Sequence, residues 1–232
     1  MSVATPIFVP GLLCTEILFQ QQRAALRCDD RLADTTTHDS ITAMAAAALA
    51  LVDGPIVPIG LSMGGYVAQE MARQAPDRVV GMALLSTNCR ADTAEQTNQR
   101  EAAIKLAAHK GFQGVTRHLL PRLLSDPAQQ DKALVDAVLT MARDIGRHVF
   151  ADQQRAIMGR RAQHDTLAGF DAPLLVLCGK LDVLTPPELS VEMASLAPNA
   201  DLCLLDGVGH LSSMEAPDAV TEALRGLLAK IA

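Results

Sequence analysis

Residues 60–70 read GLSMGGYVAQE and place a single serine, Ser62, among three glycines. The apolar run IVPI ends directly before this stretch, and an amphipathic helical pattern follows it. Gly60 and Gly64 stand two residues before and two residues after the serine, which is the G-x-S-x-G spacing of a strand–turn–helix elbow. A side chain at either glycine would obstruct so sharp a turn, and Gly65 lets the helix pack close to the strand. The stretch predicts a serine nucleophile held above the edge of a sheet.

A serine hydroxyl needs a base to remove its proton and an acid to orient that base. For this elbow the expected order along the chain is serine, acid, histidine. His210 lies in the stretch DGVGHLSS directly after the last predicted strand, and we expect it to be the base. Asp182 follows the preceding strand and is the preferred acid, with Asp206 as the alternative. Asp171 precedes its strand and therefore falls at the wrong edge of the sheet.

Six short apolar runs alternate with helical patterns along the chain. Nearly continuous apolar strands, each followed by a helix, are typical of right-handed β-α units on a parallel sheet. The sequence therefore predicts an α/β fold with a mostly parallel sheet of about six strands and helices on both faces. The strand candidates are residues 5–11, 31–37, 55–60, 79–87, 173–179 and 200–207. Pro58 lies inside the third candidate, where its missing N–H predicts a local bulge.

The alternation breaks once, between Arg90 and Asp165, where we find helical patterns only. A helical segment of this length, inserted before the last two strands, must sit at one end of the sheet. The expected organisation is a core formed by residues 1–89 and 166–232 and a helical cap formed by residues 90–165.

Local signals predict where several helices begin and end. Thr93–Gln96 and Thr185–Glu188 have the spacing of a capping box, and Asp126 is followed by Pro127. We therefore expect a helix to start at each of these three positions. The helix that starts at Thr93 is expected to stop at Gly111, and Pro121 is expected to bend or end another helix.

Composition and charge argue against several classes of function. The 232-residue chain has a net charge of −6 and 3% aromatic residues, which argues against a nucleic-acid partner. Five cysteines form no C-x-x-C pair and six histidines no H-E-x-x-H pair, so we expect no metal and no cofactor. A catalytic role for Cys14 or Cys89 is a minor alternative. The N-terminus MSVATPIFVPGLLC lacks a basic region and a long apolar run, so we expect no signal peptide, no membrane span and a cytoplasmic protein.

The stretches FVPGLLC, GLSMGGYVAQE, LLST, LLVLCGKLDVLTP and GVGHLSSMEAP together resemble the α/β-hydrolase superfamily, in the order and spacing of its small bacterial esterase-like members. The resemblance implies an α/β-hydrolase fold and a catalytic triad of Ser62, Asp182 and His210. It also implies an oxyanion hole formed by backbone N–H groups, which fall to Leu12 and Met63 in this sequence.

One stretch departs from the pattern of that superfamily. Its members usually carry His-Gly-x after the first core strand, and this sequence reads Pro10-Gly11-Leu12 there. Leu12 still offers its backbone N–H as a donor, although the histidine that usually accompanies this donor is absent.

The resemblance implies the hydrolysis of a small-molecule carboxylic ester through an acyl-enzyme. A serine at the elbow argues against the chemistry of haloalkane dehalogenases and epoxide hydrolases, which use an aspartate there. Lactone or thioester hydrolysis on the same triad is an alternative, and a non-catalytic ligand-binding protein on the same scaffold is a second one. The oligomeric state is left open.

Charge is distributed unevenly between the two expected parts of the chain. Residues 90–165 carry twelve Lys and Arg against nine Asp and Glu, although the whole chain is negative. Most of these charges are expected on solvated helix faces. The alternative is that arginines of the cap line the cleft and favour an anionic ester. The candidates are Arg100, Arg117, Arg143 and Arg147.

Overall fold

The computed structural model describes residues 4–108 and 114–231, which contain one six-stranded sheet. The strands are β1 (Thr5–Val9), β2 (Arg31–Leu32), β3 (Ile56–Leu61), β4 (Met82–Leu85), β5 (Leu174–Gly179) and β6 (Ala200–Leu205). They lie side by side in the order β2-β1-β3-β4-β5-β6, and every pairing is parallel. Because all six strands point the same way, the segments that follow them meet at one edge of the sheet.

Helices connect these strands throughout the described residues. They are α1 (Gln20–Leu26), α2 (Ile41–Leu49), α3 (Met63–Gln74), α4 (Ala94–Ala108), α5 (Leu120–Leu123), α6 (Lys132–Met158), α7 (His164–Ala168), α8 (Pro187–Leu196), α9 (Ser212–Glu215) and α10 (Pro217–Ala229). None of the helices in residues 4–108 and 114–231 combines the length and the apolar character that crossing a membrane requires.

Alternate side chains of each strand face two separate apolar layers. In β1, Ile7 and Val9 pack into one layer with α2, α3 and α8, whereas Phe8 packs into the other layer with α1 and α10. All three side chains are fully buried. Complete burial of an aliphatic or aromatic side chain contributes about 1.5–3 kcal/mol, so both layers hold helices firmly against the sheet. The predicted α/β fold, with helices on both faces of a parallel sheet of six strands, is confirmed.

Pro58 lies where the register between β3 and β4 changes. Ile56 is bridged to Val79, whereas Ile59 pairs with Ala83. The β4 side therefore holds one residue more than the β3 side between these two pairs, which is a bulge. On its other side β3 pairs with β1 without interruption. The expected local irregularity is present, but its extra residue lies in the segment that leads into β4 and not in β3 beside Pro58.

The described residues between β4 and β5 form helices and turns but no strand, as the sequence predicts. We call residues 90–165 the insertion. Its longest helix, α6, is broken at Gly146, whose φ of 75° and ψ of 174° are not helical. The exact boundaries of core and cap stay a prediction.

The first helix of the insertion begins with the predicted capping box. The Thr93 N–H donates to Gln96 Oε1 at 2.9 Å, and the Gln96 N–H donates to Thr93 Oγ1 at 3.2 Å. The predicted end of this helix at Gly111 lies outside the described residues.

Two other local predictions in the insertion are wrong. The cap of α6 is Asp131 and not Asp126, because the Asp131 carboxylate accepts from the N–H groups of Ala133 and Leu134. Pro121 is the second residue of the short helix α5 and does not end a longer one, since a proline in the first turn loses no helical hydrogen bond.

Candidate active site

Ser62 occupies a strained turn between β3 and α3. Its φ is 56° and its ψ is −116°, a conformation that residues with a Cβ rarely adopt. Its N–H donates to the Leu85 carbonyl oxygen at 2.9 Å, so the turn is tied to the end of β4. Strain of this kind persists only where the surrounding structure enforces it, and it concentrates at functional sites.

The three glycines around Ser62 are required by close backbone contacts. A Cβ on Gly60 would overlap the carbonyl group of Gly64, and a Cβ on Gly64 would overlap the carbonyl oxygen of Val9 in β1. A Cβ on Gly65 would lie 2.5 Å from Thr87 Cγ2. The glycines therefore allow the start of α3 to lie directly against the neighbouring chain segments.

His210 and Asp182 form a buried hydrogen-bonded pair at the same edge of the sheet. His210 Nδ1 lies 2.8 Å from Asp182 Oδ2, and only 4% of His210 and 3% of Asp182 are exposed. The predicted base and the preferred acid are thus brought together from the segments that follow β6 and β5. With Nδ1 bonded to the carboxylate, Nε2 is the ring nitrogen left for a reacting group.

Asp182 is held as a carboxylate by several donors. The N–H groups of Leu184 and Thr185 donate to Oδ1 at 2.9 Å each, and Thr185 Oγ1 donates to Oδ2 at 2.7 Å. Burial acts to raise the pKa of Asp182, but the bonds from His210 and Thr185 outweigh it and hold that pKa below its usual value. An ionised carboxylate beside the imidazole can stabilise its positive charge during a proton transfer.

The structure does not bring the other two aspartates to His210. Asp206 is exposed, and its carboxylate pairs with the Lys180 ammonium at 2.7 Å. Asp171 is exposed and lies before β5.

Thr185 contacts the candidate acid Asp182, although its place in the sequence predicts a different role. We predicted it as the first residue of a capping box with Glu188, but α8 begins at Pro187 and its start has no side-chain cap. The Thr185 hydroxyl donates to Asp182 instead. A threonine three residues after the acid could have signalled this role, because Asp182 and Thr185 share one turn.

The two N–H groups predicted to form the oxyanion hole belong to Met63, the residue after the serine, and to Leu12 in the loop after β1. Within the described residues, neither the Met63 N–H at the start of α3 nor the Leu12 N–H donates a hydrogen bond. A Cβ built on Gly11 would lie 3.5 Å from Ser62 Cβ, so the loop after β1 runs beside the serine. Next to Leu12, Leu13 adopts a φ of 58°.

Burial keeps the cysteines near the site protonated. It raises the pKa of Cys14 to about 12 and that of Cys89 to about 11. The Cys178 thiol, 3.8 Å from Asp182 Oδ2, has its pKa raised to about 12. A thiol that stays protonated is a poor nucleophile, which weighs against the cysteine alternative.

One group of described residues offers three metal-ligating atoms within 4.8 Å of one another, namely Cys89, His164 and Glu192. The Glu192 carboxylate is already engaged, since one oxygen accepts from Arg90 Nε at 2.8 Å and the other lies 3.2 Å from His164 Nε2. These polar contacts account for the cluster without an ion, and the absence of a metal stays a prediction.

The four arginines proposed to line the cleft occupy different environments. Arg100 donates to Asp92 at 2.7 Å and to Gln154 at 2.8 Å, so its charge is matched within the protein. The other three, Arg117, Arg143 and Arg147, are exposed. Arg100 is therefore a poor candidate for binding an anionic substrate.

The chain is similar to known proteins in both sequence and structure. The model of the alpha/beta hydrolase family matches residues 21–223. An esterase from Thermogutta terrifontis, solved with malate bound, superposes with a TM-score of 0.90 at 27% identity, covering 98% of this chain and 90% of that one.

Two curated relatives show the range of activities named among similar sequences. Mycobacterium tuberculosis BpoC, whose name suggests a non-heme bromoperoxidase, is 30% identical over 214 residues, which cover 86% of this chain and 78% of BpoC. The pimeloyl-[acyl-carrier protein] methyl ester esterase of Klebsiella pneumoniae is 29% identical over 202 residues, covering 81% of this chain and 75% of the esterase.

Proposed function

Because the chain belongs to the alpha/beta hydrolase family, we propose that it is a serine hydrolase that cleaves a small carboxylic ester through an acyl-enzyme intermediate. The proposed catalytic residues are Ser62 as nucleophile, His210 as base and Asp182 as the acid that orients it. The observation that carries the proposal is the buried 2.8 Å bond between His210 Nδ1 and Asp182 Oδ2, at the sheet edge where Ser62 sits in its strained turn.

The first half of the reaction forms the acyl-enzyme. His210 Nε2 takes the proton of the Ser62 hydroxyl while Oγ bonds to the ester carbonyl carbon. The carbonyl oxygen gains a negative charge and accepts hydrogen bonds from the N–H groups of Leu12 and Met63. When the tetrahedral intermediate collapses, the ester C–O bond breaks and the leaving alkoxide receives the proton from His210.

The second half releases the acid. His210 removes a proton from a water molecule, and the water oxygen attacks the acyl carbon. The same oxyanion hole stabilises the negative charge that forms on the carbonyl oxygen. Collapse breaks the bond between the acyl carbon and Ser62 Oγ, and the proton returns to the serine. Asp182 stays ionised throughout, which agrees with a pKa held below its usual value.

We further propose that the insertion is the cap over this site. Two contacts support it. The N–H groups of His210 and Leu211 both donate to the Leu123 carbonyl oxygen at 3.1 Å, and the Leu13 N–H donates to Gln153 Oε1 at 3.0 Å. Residues of the insertion thus contact both the segment that carries His210 and the loop that carries Leu12.

We also propose a cytoplasmic location. All five cysteines of the chain are free, as is usual for proteins of a reducing compartment.

The names of two relatives favour ester chemistry over the alternatives. The superposed Thermogutta protein is an esterase, and the Klebsiella protein acts by its name on a methyl ester. Methyl and other short-chain esters are therefore the first substrates to test, with lactones and acyl thioesters of the same acyl groups as the competing classes.

A serine-directed fluorophosphonate probe tests the proposal directly. We expect the wild-type chain to be labelled on Ser62 and to hydrolyse short esters faster than lactones or thioesters. The Ser62→Ala variant should do neither, while Ser195→Ala, which changes an exposed serine of α8, should behave as wild type. A wild-type chain that resists the probe would refute a serine hydrolase, and a higher kcat/KM on lactones or thioesters would replace the ester assignment.

A further inference from the structure

The carbonyl oxygen of the peptide group between Ser62 and Met63 accepts two hydrogen bonds. Thr87 Oγ1 donates to the Ser62 carbonyl oxygen at 2.8 Å. The Gly65 N–H donates to the same oxygen at 2.9 Å. The opposite end of this planar trans group is the Met63 N–H, one of the two donors of the proposed oxyanion hole. Whatever fixes the carbonyl oxygen therefore also fixes the direction of that N–H.

Thr87 is placed for this contact by its position after β4. The residue is fully buried, and its side chain fills the gap that Gly65 leaves at the start of α3. A Cβ on Gly65 would lie 2.5–2.7 Å from three atoms of the threonine side chain. Among the described residues, the Ser62 carbonyl is the one acceptor that the Thr87 hydroxyl reaches. The Thr87 hydroxyl thus donates to the peptide group whose N–H is a proposed oxyanion donor.

We propose that Thr87 is a positioning residue for the oxyanion hole. Its hydroxyl holds the plane of the Ser62–Met63 peptide and polarises that peptide, so that the Met63 N–H is aimed at the oxyanion and donates more strongly. Hydrogen bonds in a chain strengthen one another by about 10–30% each, and burial amplifies the effect. The inference rests on the proposed function, because it assigns Thr87 a role only if Met63 is an oxyanion donor.

A purely structural role for Thr87 predicts different behaviour. If the hydroxyl only stabilised the turn, its loss would lower the melting temperature and leave the turnover of the folded enzyme unchanged. If it acts through the Met63 N–H, its loss slows the formation of the tetrahedral species without weakening substrate binding. The separation of kcat from KM therefore distinguishes the two roles.

Three variants of Thr87 provide the test. Thr87→Val removes the hydroxyl and keeps the shape, Thr87→Ser keeps the hydroxyl, and Thr87→Ala removes the hydroxyl without adding a methyl group near the Ser62 carbonyl. Each is measured for ester turnover and for the rate of labelling by a fluorophosphonate. In the labelling step Ser62 Oγ bonds to phosphorus, its proton passes to His210, and the P–F bond breaks to release fluoride. The phosphoryl oxygen then occupies the proposed oxyanion hole, so the readout does not depend on the natural ester.

We expect Thr87→Val and Thr87→Ala to lower kcat and the labelling rate about tenfold with KM unchanged, and Thr87→Ser to stay within about twofold of wild type. Deleting an oxyanion donor outright costs roughly 10²–10³ in rate, so an indirect effect is smaller. The carbonyl ¹³C resonance of Ser62 should move in the valine and alanine variants and return in the serine variant.

Equal labelling rates in wild type and Thr87→Val would overturn the inference, as would an equal loss in Thr87→Val and Thr87→Ser. If the wild-type chain is not labelled, the proposed function and this inference are both refuted. If the wild type is labelled and Thr87→Val is labelled at the same rate, only this inference is refuted.

Discussion

Gln153 Oε1 accepts a hydrogen bond from the Leu13 N–H at 3.0 Å, although 140 residues separate the two along the chain. The same side chain donates through Nε2 to the Thr35 carbonyl oxygen at 3.1 Å, and it is fully buried. Gln153 belongs to α6 of the insertion, whereas Leu13 follows the proposed oxyanion donor Leu12. One amide thus ties the insertion to the loop that carries the proposed oxyanion donor Leu12.

Replacing this amide should impair both stability and turnover. Gln153→Met keeps the length of the side chain but leaves the Leu13 N–H and the Thr35 carbonyl without partners. Each buried unpaired group costs about 1–3 kcal/mol, so the free energy of unfolding should fall by a few kcal/mol. We expect kcat to fall about tenfold, because removing one oxyanion donor outright costs roughly 10²–10³. Denaturant unfolding and ester turnover measure the two effects, with the exposed Gln99→Met as control. Unchanged kcat would show that the loop keeps its position without Gln153.

A methyl group at Gly64 should prevent the elbow from forming. A Cβ there would overlap the Val9 carbonyl oxygen, which is backbone and cannot rotate away, so Gly64→Ala must displace α3 or β1. Overpacking typically costs about 1–3 kcal/mol, and a backbone clash costs more. Gly54→Ala is the matched control, because a Cβ on Gly54 meets nothing within 4 Å. We expect a melting temperature at least several degrees lower, or no soluble protein, for Gly64→Ala only. Equal melting temperatures for the two variants would contradict the packing described at the elbow.

The fold and the three residues of the proposed triad could be predicted from local pattern. Nearly continuous apolar runs indicate the buried strands, and the G-x-S-x-G turn indicates the end of β3, because each signal is contained in about ten consecutive residues. His210 and Asp182 follow from the rule that the segments after parallel strands meet at one edge, and the structure places them in contact.

The residues that support the site are harder to predict in this way. Thr185 carries two competing local signals, because its spacing fits both a cap of α8 and a partner for Asp182. Its hydroxyl donates to Asp182, and the start of α8 has no side-chain cap. Gln153 and Thr87 carry no local signal at all, since their partners lie 118–140 and 25 residues away. Likewise Asp126 and Asp131 both precede helical patterns, and only the packing of α6 decides which of them caps it.

Glu70 should make the folded protein sensitive to acid. Its buried carboxylate accepts hydrogen bonds from Arg73, Gln74 and Gln163 at 2.6–3.0 Å. Burial acts to raise its pKa, but these bonds outweigh it and hold the pKa at about 2, against an ordinary value of 4.5. A lowered pKa stabilises the folded state above the unfolded pKa, and this contribution is lost as the pH falls from about 4.5 towards 2.

Glu70→Gln tests this linkage. At neutral pH the variant should be less stable by no more than about 3 kcal/mol, the energy equivalent of such a shift. Between pH 4.5 and 2 its free energy of unfolding should change less steeply with pH than that of wild type. Glu188→Gln, which changes an exposed glutamate of α8, serves as the control for loss of one charge. Parallel curves for wild type and Glu70→Gln would show that another group governs acid unfolding.

The choice of acid can be decided by two matched substitutions. Asp182 is buried against His210, whereas Asp206 is exposed and paired with Lys180, so only the first can orient the imidazole. Asp182→Asn replaces the acceptor at Nδ1 by an amide that cannot stabilise the imidazolium, and in serine proteases the same change costs on the order of 10⁴ in kcat. We expect a loss of that order for Asp182→Asn and less than about twofold for Asp206→Asn, since a surface ion pair contributes little. Circular dichroism must show both variants folded. If Asp206→Asn were the more damaging change, the acid would have to be reassigned, and with it the orientation of His210.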